Sequence, residues 1–437
     1  MNIILLSGGS GKRLWPLSND VRSKQFIKLF KTEDGQYESM LQRMYRYIRK
    51  ADPYANITIA TAKRQISAIH NQLGEGVDIC VEPCRRDTFP AVALATAYLH
   101  DVQGVPGDAA VVVCPVDPFV KEDYFEALIK LEQQAKKGEA NLVLMGIEPT
   151  YPSEKYGYIL PKSKNAVSGV SSFIEKPDAK TAKQYIRQGA LWNGGVFAYP
   201  LQYMLDKAHE RIRFCGYYDL LGQYSALDSI SMDYAVVEKE KQVQVMRFHG
   251  PWKDLGTWNT LTEAMDGPDI GNAIMDKTCQ NVHVINELDL PILCMGLNDV
   301  VVSASPNGIL VSDKTQSSYI KPFVDRLGQQ TMFAEKSWGS FRVLDADAES
   351  LTIKVTLNPG HRMNYHSHKY RDEIWAVASG TGRAVIDGRE QAVRAGDVLT
   401  MQAGSRHTIL AESELKLIEV QLGKEICVQD KEKFDLE

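Results

Sequence analysis

Apolar and polar positions change their rhythm twice along the chain. From the first residue to about Ala264, short apolar runs alternate with stretches of helical period. Asn2–Leu6, Ile57–Ala60, Ile79–Val81, Ala109–Cys114 and Leu142–Gly146 are rich in Val, Ile and Leu and predict buried strands. Between them, Ser39–Ile48, Pro90–His100 and Asp123–Lys136 predict helices. Strands separated by helices of this length predict an α/β fold, a Rossmann-like, mainly parallel sheet with helices on both faces. After Gly267 the helical period is lost. Asn281 to Ile320 is a series of short apolar runs broken by Asn, Asp, Gly and Pro, which predicts a short β-helix-like segment without a clean hexapeptide repeat. The polar stretch Asp325–Glu335 predicts a linker. From Ser337 to about Leu422 the strands Leu351–Leu357, Glu373–Ala378, Gly382–Ile386, Asp397–Met401 and Leu415–Val420 are expected, with turns at Pro359-Gly360, Ser379–Gly382 and Asp387-Gly388. Short strands at this spacing predict a small barrel or sandwich. The expected domains are residues 1–266, a β-rich connector at 267–330 and the barrel at 335–425.

At 437 residues the chain can bury large cores without disulfide or metal staples. A net charge of −5 gives no basic footprint, so nucleic acid is not an expected partner. No apolar run approaches the roughly 20 residues of a membrane span. The opening MNIILLSGGSG lacks a basic leader and a cleavage site, so neither a membrane partner nor a signal peptide is expected. The seven cysteines are scattered, odd in number and form no CxxC. They predict reduced thiols in a cytoplasmic protein and exclude a secreted disulfide scaffold or a zinc ribbon.

The first candidate chemistry is Ser7-Gly8-Gly9-Ser10-Gly11-Lys12-Arg13-Leu14, directly after an apolar strand. A Gly-rich strand-to-helix turn lets backbone N–H groups approach a phosphate. The Walker A pattern fails because Arg13 follows Gly11-Lys12, and the dinucleotide fingerprint lacks its third glycine, where Leu14 stands. What remains is a turn with two adjacent cations, followed by Ser23-Lys24-Gln25-Phe26. Arg13 and Lys24 can face a polyphosphate, or be solvated residues of a tight turn. Asp117 follows the run Val111–Val113 and is expected at the carboxyl edge of the sheet, where ligands of open α/β folds collect; a loop or helix cap is the alternative.

The order LLSGGSGKRLWPLS…SKQF resembles the opening of the sugar-phosphate nucleotidyltransferases, specifically the mannose-1-phosphate guanylyltransferases. Glu82-Pro83-Cys84-Arg85-Arg86-Asp87-Thr88, Val116-Asp117, Tyr156–Ile159, Phe173–Pro177, Trp192–Phe197, Asp233-Tyr234-Ala235 and Trp252–Trp258 resemble further segments of that family in the same order. The resemblance implies transfer of a nucleotidyl group from GTP to mannose 1-phosphate, giving GDP-mannose and pyrophosphate for polysaccharide assembly. It implies Mg²⁺ held by Asp117 and Asp254, with Arg13 on the triphosphate and Lys24 between α-phosphate and leaving group. Ser7, Gly8, Gly9, Gly11, Arg13, Glu82, Arg86, Asp87 and Thr88 would contact the nucleotide. Gly157, Tyr158, Glu175, Lys176 and Asn193 would contact the sugar phosphate. A homo-oligomer, a dimer, is expected. The attacking phosphate oxygen is already anionic, so no general base is needed; alignment and charge neutralisation carry the chemistry. A related transferase using another sugar or base, and a sensor that binds without turnover, are the alternatives.

In the C-terminal part, Gly360, His366-x-His368, Glu373, Gly380, then Gly396, Gln402-x-Gly404 and His407 resemble the two cupin motifs, with Gln402 in place of a proline. Histidines two apart on a strand share a side. With Glu373 and His407 they would form a three-His, one-carboxylate set for Zn²⁺, Fe²⁺, Mn²⁺ or Ni²⁺, which spacing does not separate. A barrel with satisfied polar residues and no metal is the bland alternative. The long bacterial form of the family joins the transferase to such a cupin, of the type II mannose-6-phosphate isomerase kind. That implies a bifunctional chain also interconverting mannose 6-phosphate and fructose 6-phosphate. Here His366 and Tyr370 replace a Gln and a His of the isomerase motif, and Lys431–Glu437 replaces its Arg-rich ending. A weakened phosphate grip is the expectation.

Overall fold

The computed structural model describes all residues except 10, 20, 328–330, 425, 428–429 and 437. Ser10 of the glycine-rich loop and the expected connector boundary at 330 therefore lie outside the described residues. By its contacts the chain divides into two units. One comprises Met1–Ser10, Ser23–Ile66 and Leu73–Asp266; the other comprises Gly11–Arg22, Ser67–Gln72 and Gly267–Glu437.

The first unit is built on a nine-stranded sheet in the order Asp78–Glu82, Asn56–Ala62, Asn2–Leu6, Ala110–Pro115, Leu191–Pro200, Leu142–Ile147, Val243–Phe248, Val167–Ile174, Gly157–Pro161. The expected strands are present, most extended by a residue or two at one or both ends. The first four are mutually parallel. The other half carries antiparallel pairs, because Leu191–Pro200 runs against both its neighbours and against Gly157–Pro161. Gly157–Pro161 and Val167–Ile174 are joined by a connection too short for a crossover, so they can pair only as a hairpin. Ile4, Val111, Val113, Leu144 and Phe197 share one core with the helix Thr88–Asp101, which is apolar nearly all round and buried. Helix Met40–Ala51 is started by a capping box between Ser39 and Gln42 and buries Met40, Met44 and Ile48 on one face.

In the second unit, Asp269–Ile270, His283–Asn286 and Val300–Ser305 pair in parallel, as do Ala273–Met275 and Ile292–Cys294. These are rungs of the β-helix-like kind, closed by the antiparallel strand Gly308–Asp313. Two further sheets, of six and five strands, enclose the barrel core of Val355, Leu357, Trp375, Leu399, Ile409 and Leu417. The stretch expected to be a linker, Asp325–Glu335, runs at its end into structure: Phe333–Lys336 is an edge strand of the six-stranded sheet. Polar side chains hid that strand, since an edge exposed to water needs no apolar alternation. No helix among the described residues is long and apolar enough to cross a membrane. All seven cysteines are free thiols.

Candidate functional site

In the first unit, Asp117 follows strand Ala110–Pro115, and the chain then forms the short strand Pro118–Val120. That strand pairs antiparallel with Trp252–Asp254, so Asp254 lies opposite Pro118. This ribbon brings the two carboxylates together from distant sequence. The Lys24 ammonium bridges them, 2.7 Å from Asp117 Oδ2 and 3.6 Å from Asp254 Oδ1. Two hard carboxylates converging on one cation position are a donor set that suits Mg²⁺.

Both aspartates line a pocket of about 230 Å³ together with Gly157, Glu175 and Asn193. Gly157 pairs with Asn193 across the sheet. A Cβ at Gly157 would stand 2.5 Å from Glu175 Oε2, so only glycine leaves that carboxylate in place. Glu175 Oε2 is buried without a hydrogen-bond partner, while Oε1 takes the Lys176 ammonium at 2.6 Å. An orphaned buried acceptor at a pocket wall is suited to a ligand hydroxyl. Tyr158 is a correction. Its ring is fully buried, its hydroxyl donates to Ser153 O at 2.9 Å and accepts from Ser153 N–H at 2.8 Å, and it does not line the pocket. Strand alternation turns it into the core while Gly157 faces the ligand side. Lys176 is exposed and also outside the lining.

Sequence reasoning gave no role to Asp233, Tyr156 or Trp252, which line the same pocket. Tyr156 packs on Trp192 and Trp252, with ring centroids 5.0 and 5.5 Å away. The signal was present, since Asp233 and Trp252 stand in segments that resemble the family. Asn193 Nδ2 donates to Asp233 Oδ1 at 2.6 Å. Burial, reinforced by the Glu175 charge, pushes the Asp233 carboxyl from 3.8 up to about 6. The folded protein thus keeps a proton that the unfolded chain releases, and this group's contribution to stability declines as pH rises between those values. Urea unfolding of the parent and Asp233→Asn at pH 4.5 and 7 should show the parent's advantage shrinking by about 2 kcal/mol toward the higher pH. A pH-independent difference would make Asp233 an ordinary carboxylate.

A second pocket, of about 280 Å³, is lined by Gly8, Gly9, Glu82, Arg86, Asp87 and Thr88, together with Arg85. Ser7 is buried beneath it, its carbonyl accepting from Gln25 Nε2 at 2.9 Å. Arg85 Nη2 donates to Gly9 O at 3.0 Å, and Arg86 donates to Ser225 O. Burial raises the Glu82 pKa against the opposing hydrogen bond from Tyr224. Asp87 both lines this pocket and caps the helix Thr88–Asp101 through Thr88 N–H at 2.7 Å. Its φ of 66° with ψ of −174° is a conformation almost confined to glycine. Gly11 and Arg13 belong with the second unit. There Arg13 is exposed on the turn Lys12–Leu14, and the neighbouring Lys12 pairs with Asp325 at 3.0 Å.

The four expected barrel ligands come together and are buried: His366, His368, Glu373 and His407, with donor atoms all within 4.8 Å of one another. His366 stands opposite His407 across the sheet. Each histidine can donate Nδ1–H to a backbone carbonyl, His366 to Asn364 at 2.6 Å, His368 to Asp430 at 3.0 Å and His407 to Ser405 at 2.9 Å. That tautomer leaves every Nε2 as an acceptor; His368 Nε2 takes Arg371 Nη2 at 3.1 Å, while His407 Nε2 is buried with no hydrogen-bond donor among the described residues. Two of these lone pairs lie 3.0 and 3.2 Å from the Glu373 oxygens. Arg371 serves the His368–Glu373 edge, but the His407 lone pair faces a Glu373 oxygen with no donor between them, so the donor set fits a divalent metal. Burial, with the charge of Lys431 next, drives the His366 pKa far down and keeps it neutral. Arg371 Nε and Trp375 Nε1 hold Glu373 from behind, at 3.1 and 3.2 Å.

Fold and sites together define a chain with two centres, a carboxylate-and-lysine pocket on an open α/β sheet and a histidine-rich metal-type centre in a β-barrel. Residues 2–268 match the family model described as Nucleotidyl transferase, and the chain belongs to that family. Residues 326–436 match the model described as Mannose-6-phosphate isomerase C-terminal. The xanthan biosynthesis protein XanB of Xanthomonas campestris pv. campestris (strain B100) is 28% identical over 99% of this chain and 97% of its own length. The mannose-1-phosphate guanylyltransferase of Salmonella montevideo is 28% identical over 99% of this chain and 98% of its own. A crystal structure described as mannose-1-phosphate geranyltransferase from Thermus thermophilus is 28% identical, with a TM-score of 0.62, covering 74% of this chain and 98% of that one.

Proposed function

We propose that the chain transfers a guanylyl group from GTP to mannose 1-phosphate in the cytoplasm, giving GDP-mannose and pyrophosphate for polysaccharide assembly. The observation that carries this reading is the convergence of Asp117, Asp254 and Lys24 on the pocket lined by Gly157, Glu175 and Asn193. The full-length similarity to guanylyltransferase and xanthan proteins supports the choice of substrates. Asp117 and Asp254 would hold Mg²⁺, which supplies charge neutralisation on the polyphosphate. Lys24 would leave the carboxylates for the α-phosphate and the departing pyrophosphate. Glu175 would take hydrogens from sugar hydroxyls, Asn193 and the Gly157 backbone would complete the sugar pocket, and Lys176 would swing to the sugar's phosphate. The glycine loop with Glu82, Arg86, Asp87 and Thr88 would hold the nucleotide. A matrix of nucleoside triphosphates against sugar 1-phosphates, scored by product mass, tests the reading. GDP-mannose should dominate; a different dominant product reassigns base or sugar, and none at all favours a sensor.

A second activity, interconversion of mannose 6-phosphate and fructose 6-phosphate, is favoured by one observation. His366, His368 and Glu373 face a cavity of about 1050 Å³ that also holds Arg371 and Lys431. The barrel metal would be Zn²⁺, Fe²⁺, Mn²⁺ or Ni²⁺, bound through the three Nε2 atoms and Glu373. A coupled assay from fructose 6-phosphate decides whether the second activity is present.

A further inference from the structure

The barrel cavity contains two lysines that form no ion pair among the described residues, although the Glu419 and Glu373 charges act on Lys431 from further off. Lys336 and Lys431 both line it. Both are half-buried, and neither ammonium makes an ion pair or hydrogen bond among the described residues. The Lys336 ammonium lies over the face of Phe341, 5.6 Å from the ring centre. Arg371, by contrast, is already engaged with Glu373. Withdrawing an ammonium from water costs free energy unless a partner replaces the water, so two such groups facing one space mark a place for an anion.

Their position follows from the topology. Phe333–Lys336 is the edge of the six-stranded sheet and Lys431–Lys433 the edge of the five-stranded one. The second edge is formed by the end of the chain. It lies along the histidine strand, with Lys431 opposite His368 and Lys433 opposite His366. The two edges approach closely enough for Lys433 to repel the charge on Lys336. Segments that look like a polar linker and a charged tail thus each deliver one ammonium to the cavity that holds the three-histidine centre.

We infer that Lys336 and Lys431 are the anion anchor of the barrel cavity, and that its ligand is a phosphate monoester whose hydroxylated end reaches the histidines. Two ammonium groups match a dianion better than a single carboxylate. A cavity of about 1050 Å³ has room for a phosphate and a sugar-sized body together. The inference rests on and deepens the second activity proposed above, because it names the groups that would hold a substrate phosphate in that cavity.

The test uses the full-length, metal-loaded protein and calorimetry with mannose 6-phosphate and with mannose. The phosphate ester should bind and the uncharged sugar should not. Lys431→Met and Lys336→Met should each weaken binding about tenfold or more, the usual worth of one charged hydrogen bond. Lys416→Met, which removes a lysine paired with Glu414, should leave binding as it is. Metal content and melting temperature should be unchanged in all three variants. Undetectable binding in the parent protein, equal binding of mannose, or full-strength binding in Lys431→Met overturns the inference. Catalysis separates it from the reading on which it rests. Lysine-dependent binding without conversion keeps the anchor and removes the isomerase, whereas conversion with an unchanged KM in Lys431→Met does the reverse.

Discussion

Replacing Asp117 with Ala should lower kcat for pyrophosphate release by about 10²–10³-fold or more, the scale on which a fixed electrostatic partner of a transition state acts. Circular dichroism and melting temperature should scarcely move, since Asp117 lies at a pocket wall and its side chain keeps 31% of its exposure. Asp254→Ala should do the same. The double variant should lose little more than either single one, because two ligands of one ion act as a unit and their effects do not add. Lys24→Met should also lose turnover, and leaves Asp117 and Asp254 facing each other without their bridge. Turnover within threefold of the parent in Asp117→Ala would remove the carboxylate pair from the reaction.

The second large effect concerns the barrel. His368→Ala should reduce retained transition metal, measured by elemental analysis after gel filtration, from near one ion per chain to below about a tenth of that. Partners that only orient ligands already change affinity 10–100-fold, and a direct ligand should exceed this. The fold should survive, because Arg371 and Trp375 still hold the Glu373 carboxylate. Undiminished metal in His368→Ala would show that the four side chains are not a ligand set.

Much of this architecture is legible in the residues. Asn2–Leu6 is a strand from end to end, and the helices expected near residues 40, 90 and 123 form within three residues of those limits. The barrel ligands are readable because a two-residue spacing on a strand and a shared interior leave little freedom. Other features carry no local pattern. Pro118–Val120 and Trp252–Asp254 are three residues each, too short for periodicity to register, yet their pairing brings the catalytic candidates together. Lys431–Lys433 reads as a charged tail, and its strand character comes entirely from the neighbour it pairs with. Tyr158 and Gly157 sit side by side in one motif with opposite orientations, which resemblance does not separate and pleating does. The pairing of Lys12 with Asp325 likewise depends on chain segments that sequence order keeps apart.

The triad of Lys24 with Asp117 and Asp254 has a consequence for admission to the pocket. One ammonium against two carboxylates leaves the doorway anionic. A phosphate ester approaching unaccompanied is opposed by like charge, and one arriving with a divalent escort meets much less of that opposition. On the function proposed above, throughput would then be metered by free magnesium, and scarcity of that ion would idle the enzyme with both reactants plentiful.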